Sequence, residues 1–74
     1  MEKKREIIAI LNTCRISGLE VSVHIKGGRI ITGKLQGIRD DDIVTILNGE
    51  NNAILDIALT DIRQIEYFGN WFRV

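Results

Sequence analysis

At Ser17-Gly18 the spacing of apolar residues changes from a helical to a strand period. This switch constrains the chain more than any other feature. Before it, Ile7, Ile10, Leu11 and Cys14 follow i, i+3, i+4, i+7 and form one stripe of a helix over residues 2–14. After it, Leu19, Val21, Val23 and Ile25 alternate with Glu20, Ser22, His24 and Lys26, the pattern of a half-buried strand. A glycine at the junction suits a helix end. The expected architecture is therefore mainly β behind one N-terminal α-helix.

Further strands follow between turn signals. Gly27-Gly28 predicts a two-residue hairpin turn, because glycine accepts positive φ. Arg29 to Ile38 reads as a long second strand with Ile31, Gly33, Leu35 and Gly37 on one face. Glycines on an inner face leave room for a sharp bend. Ile43–Leu47 and Ala53–Leu59 read as strands that are apolar on both faces, separated by Asn48-Gly49-Glu50-Asn51-Asn52. Thr60-Asp61 is a short corner. Ile62–Phe68 is a fifth strand, and the three-residue spacing of Ile62 and Ile65 predicts a twist or a bulge between them. Gly69-Asn70 ends it and leaves a short aromatic tail.

These elements predict one domain over residues 1–74. It comprises a helical segment 1–16, a five-stranded, strongly bent antiparallel small barrel over 19–68, and a tail over 69–74. A domain this small buries little of its surface, and no internal disulfide is available to its single cysteine. Oligomerisation through the exposed edges of strands four and five is the expected remedy.

Ten Lys/Arg balance ten Asp/Glu. That excludes a polyanion binder driven by a large positive excess, and the 45% hydrophobic content excludes a disordered charged tail. The balance hides an asymmetry. Residues 1–39 hold eight basic against three acidic side chains, and residues 40–74 hold two against seven. The halves either attract one another within the fold or make a bipolar surface. No apolar run approaches the roughly 20 residues of a membrane span, and no segment has signal-peptide order. The unpaired cysteine suits a reducing compartment, so the expectation is a cytoplasmic protein without a membrane partner.

Catalytic chemistry has little support. Cys14 and His24 lie on different elements without a third partner, so neither a nucleophilic pair nor a zinc site is expected. Asp40-Asp41-Asp42 lacks the spacing of a calcium loop and reads as a solvated turn. Gly27-Gly28 joins two strands and is not a phosphate loop. No cofactor is expected. Tyr67, Phe68, Trp71 and Phe72 read first as a core cap or interface, and second as surfaces that stack on bases.

Leu11-Asn12-Thr13-Cys14-Arg15, Val21-Ser22-Val23-His24-Ile25, and Gly28, Ile31, Gly33, Leu35 and Asn48 together resemble the Hfq branch of the Sm-like (LSm) proteins. The resemblance is gapless from Leu11 to Leu35 and looser to Ile65, about three quarters of the chain. It implies a non-catalytic, homo-oligomeric ring of roughly six subunits, within a range of about five to seven, that binds single-stranded RNA as a chaperone or post-transcriptional regulator. Asn12 and Arg15 match a rim contact. His24, Arg29, Ile30 and Thr32 match a base-binding face on strands one and two, with His24 where the family usually has an aromatic. Asp40, Asp42, Leu59 and Thr60 occupy the pore loops, where the family's aromatic and Lys-His pair are missing and carboxylates repel phosphate. The spacing also resembles, loosely, the acidic Rho-modulating Rof proteins, which implies a protein-binding adaptor acting through the acidic loop. A ring scaffold without RNA affinity is a further alternative.

Overall fold

A computed structural model describes residues 2–40 and 42–74, with side chains from residue 4 onward. Helix α1 runs Glu2–Ser17, followed by strands β1 (Glu20–Ile25), β2 (Arg29–Arg39), β3 (Ile43–Asn48) and β4 (Ile54–Ala58). A 3-10 corner (Leu59–Asp61) leads into β5 (Ile62–Tyr67), and β6 (Asn70–Arg73) completes the chain. All strand pairs are antiparallel, in the order β4-β3-β2-β1-β5-β6.

Two expectations are corrected by this order. The sheet has six strands rather than five, and it does not close into a barrel: β4 and β6 are its edges. The extra strand is the aromatic tail. Phe68 (φ 49) and Gly69 (φ 78) both take positive φ and return the chain onto β5, so Gly69-Asn70 belongs to a hairpin and not to a strand end. In consequence β5 is paired on both sides, by β1 and by β6, and has no exposed edge.

The helix ends as its sequence suggests. Gly18 (φ 72) donates its N–H to the carbonyl of Cys14, and the Ser17 hydroxyl donates to the same oxygen. The stripe of Ile7, Leu11 and Cys14 joins a single apolar core with Val21, Val23, Ile31, Leu35, Val44, Ile46, Ile57, Leu59, Ile62 and Ile65. Ile8 and Ile10 pack partly against it.

Bulges explain the breaks in alternation. Between β1 and β5 the register passes from His24↔Gln64 to Ile25↔Ile62, leaving Arg63 as the extra residue, so Ile62 and Ile65 both point inward. Between β2 and β3 it passes from Leu35↔Ile46 to Gly37↔Thr45, leaving Gln36 extra. That bulge reverses the parity of β2. Ile31, Gly33 and Leu35 face the core, but Gly37 does not share their face, and Ile38 packs inward in its place. The β1–β2 turn also differs from expectation. Three residues, Lys26-Gly27-Gly28, separate the paired Ile25 and Arg29, and Gly28 donates to the carbonyl of Ile25. Gly27 supplies the positive φ required at the third position of a type II turn.

Among the described residues, two contacts between ionisable side chains join the basic and acidic halves of the chain. Arg39 donates to Asp56 at 2.8 Å, and His24 meets Glu66. Both pairs are partly solvent-exposed, so each contributes modestly to stability.

Candidate nucleic-acid interface

The outward positions of β2, β1, β5 and β6 form one continuous face. Cross-strand pairing sets Ile30, His24, Gln64 and Arg73 in one row, and Thr32, Ser22, Glu66 and Trp71 in the next. Side-chain contacts tie these rows together. The Ser22 and Thr32 hydroxyls are 2.8 Å apart, Nε2 of His24 contacts the Glu66 carboxylate, and Arg73 Nε donates to Gln64 Oε1 at 3.4 Å. The Arg73 guanidinium lies over the Trp71 indole, 5.2 Å from the ring centroid, within cation–π range.

This face brings together three of the four expected strand residues: His24, Ile30 and Thr32. Arg29 is not among them. It opens β2 opposite Ile25 and lines a separate groove with Ile31, Leu55, Asp56 and Asp61 beside the β4 edge. The rim residues sit on α1, Asn12 half-buried and Arg15 exposed in the last turn. Arg15 there also complements the negative end of the helix dipole.

The acidic turn and the 3-10 corner do meet. The Asp42 carbonyl accepts a hydrogen bond from the Leu59 N–H at 2.8 Å, and Asp42, Thr60, Lys4 and Val74 border a common hollow. Leu59 itself is only 5% exposed and belongs to the core, which leaves Thr60 as the outward member of the corner. Asp40 is exposed with φ 54. Asp41 lies outside the described residues.

The aromatic cluster divides. Tyr67 and Phe72 are half-buried and pack against the core, as a cap would. Trp71 is 61% exposed and Phe68 43%, and both line a groove with Glu20, Ser22, Thr32, Glu66 and Asn70. Trp71, Arg73, Gln64 and Glu66 were therefore missing from the residues expected at this face. The signal that could have found them is the alternation of Trp71 and Arg73 with the inward Phe72, legible only once residues 70–73 are read as a strand.

Burial raises the Cys14 thiol above its ordinary value of 9.0, opposed by a weaker backbone hydrogen bond. Among the described residues, no group of three or more His, Cys, Asp or Glu side chains could hold a metal ion, and no helix is long and apolar enough to cross a membrane.

No protein-family model, no curated protein and no solved structure matches the chain.

Proposed function

We propose that this chain is a non-catalytic, Sm-like single-stranded RNA-binding protein, and that the outward face of β2, β1, β5 and β6 binds the RNA. The observation that carries this reading is the placing of an exposed tryptophan, a guanidinium, an imidazole and two hydroxyls on one rigid sheet surface. Flat rings stack on bases whatever their identity, and hydroxyls and amides supply hydrogen bonds to base edges. The bulge in the long strand β2 and the helix packed on the core are also in keeping with a small Sm-like fold. Phosphates are met by Arg73, by Lys34, an exposed residue of β2 paired with Glu20 on the same side as Ile30 and Thr32, and, at the helix end, by Arg15.

A homo-oligomeric ring remains part of the proposal, with a changed joint. Because β5 is paired on both sides, copies join through the free edges of β4 and β6. Ladder alternation leaves the N–H and C=O groups of Ile54, Asp56 and Ala58 pointing away from β3, and those of Trp71 and Arg73 pointing away from β5. Ile54, 66% exposed at that edge, gains burial on pairing.

Fluorescence anisotropy with labelled A-rich and U-rich RNA across a salt series tests the binding. Affinity that falls as salt rises supports it, because phosphate contacts release counterions. Failure to bind either RNA at low salt overturns it. The exposed carboxylates of Asp40 and Asp42 favour a second reading, a protein-binding adaptor. It requires a monomer without RNA affinity, and pull-down of a basic partner protein.

A further inference from the structure

We infer that the groove beside Trp71 is a subsite for a single guanine base, an inference that rests on the RNA-binding reading above. The groove is bordered by Ser22, Thr32, Glu66, Phe68, Asn70 and Trp71. Arg73 covers one face of the indole and is not part of the groove, so the ring's other face is left for stacking. Gly69 also lines the groove, and the space beside its Cα is open, with no atom within 4 Å of a Cβ placed there.

The polar groups of the groove match a guanine edge. Glu66 lies directly across from Trp71 on one side and from Ser22 on the other. An ionised carboxylate only accepts hydrogen bonds, and it has about four lone-pair sites. His24 occupies one oxygen, Oε2, which leaves acceptor capacity for two further donors. Guanine alone among the four RNA bases presents two adjacent donors, N1–H and N2–H, on its Watson–Crick edge. Its neighbouring O6 is an acceptor. The Ser22 and Thr32 hydroxyls are bonded to each other, and whichever of them accepts that bond keeps its own proton free to donate to O6.

A cationic side chain from a partner protein fits less well. Arg73 already places a positive charge against the indole, and a second cation on the opposite face meets that charge. A guanidinium has no acceptor for the free hydroxyl proton. A neutral base meets neither objection.

Trp71 is the only tryptophan, so its fluorescence reports this groove alone. The test uses the full chain and four uridine hexamers carrying guanine, inosine, adenine or uridine at one central position. The guanine hexamer should bind about tenfold tighter than the adenine one, given the usual discrimination of a bidentate pair, and should quench the indole most strongly. Inosine, which lacks the 2-amino group, should fall between them. Glu66→Gln should reduce the preference for guanine over adenine to about twofold or less, because an amide offers one acceptor in place of two. Thr32→Val should weaken guanine binding by a larger factor than adenine binding, because O6 of guanine loses its hydroxyl donor. Equal affinity for all four hexamers overturns the guanine subsite and leaves RNA binding standing. Binding of none of them at low salt overturns the RNA reading with it. Indole quenching by an arginine-rich peptide, without response to any hexamer, overturns the subsite by assigning the groove to a protein partner.

Discussion

Gly33 lies against the backbone of Leu47 in the neighbouring strand β3, where it pairs with Asn48. A methyl group on Gly33 would overlap the Leu47 carbonyl oxygen and come within 2.8 Å of the carbonyl carbon. The atoms in the way are main-chain atoms held in the β2–β3 ladder, so they cannot swing aside as a side chain could.

Gly33→Ala is therefore expected to lower stability by about 3 kcal/mol, at the upper end of overpacking costs. Gly37→Ala, at the next glycine in the strand, has open space and no positive φ, and should change stability by less than about 0.5 kcal/mol. Urea unfolding of the two variants measures the difference. Similar midpoints for both would refute the close approach of Gly33 to the Leu47 backbone.

Cys14 offers a pH-dependent readout. Its thiol is raised by burial, so the folded chain keeps the proton at pH values where the unfolded chain has begun to lose it. The folded state binds more protons in that window, and stability falls as pH rises from the ordinary value of 9.0 toward the raised one. Below 9.0 the contribution is fully present. Comparing Cys14→Ala with the parent from pH 7 to pH 11 should show a shallower decline in the variant. Iodoacetamide should also alkylate native Cys14 far more slowly than the unfolded chain; equal rates would contradict its burial.

The role of Arg15 in RNA binding is tested by charge reversal. Arg15→Glu removes one cation from the helix end and adds an anion. Binding of A-rich RNA should weaken roughly 3- to 10-fold, and the slope of log affinity against log salt should flatten by about one. Unchanged binding would restrict the site to the sheet face. A small loss of stability accompanies the reversal, because an anion at the helix C-terminus opposes the dipole.

Assembly through the β4 edge is tested at Ile54. Ile54→Lys places a charge on an exposed edge position without touching the core. Light scattering should show the parent chain as oligomers and the variant shifted toward the 8.4 kDa monomer, with Tm nearly unchanged. A parent chain that is monomeric at tens of micromolar would end the ring proposal.

The His24–Glu66 contact lies on a partly exposed surface. His24→Ala should cost less than about 1 kcal/mol in stability. Its effect should appear instead in RNA affinity, as a loss of a few fold in anisotropy titrations, since the imidazole borders the proposed binding face. An unchanged affinity would remove His24 from it.

Much of the fold was legible because local physics dictates it. The stripe of Ile7, Leu11 and Cys14 reads as the buried face of α1, and Val21 and Val23 read as the inward side of β1. The irregular spacing of Ile62 and Ile65 pointed to a twist or a bulge, and the register at Arg63 decides for the bulge. The glycine-rich turn after β1 was legible as a turn, although its length was not. The candidate site was less legible. His24, Ile30 and Thr32 share a face by simple alternation, whereas Arg29, placed with them by resemblance, has the opposite parity in β2.

By itself the sequence determined that α1 is helical, that the segments of β1 to β5 are extended and which of their side chains are apolar, because these follow from near-neighbour spacing and backbone preference. Only the tertiary structure decided that Phe68-Gly69 turns the chain back, that β6 covers the β5 edge, and that Trp71 comes to stand across from Glu66. Residues 70–73 form a strand because β5 presents unpaired N–H and C=O groups and the core accepts Phe72 and Val74. That demand comes from elsewhere in the fold, and no short stretch of chain carries it alone.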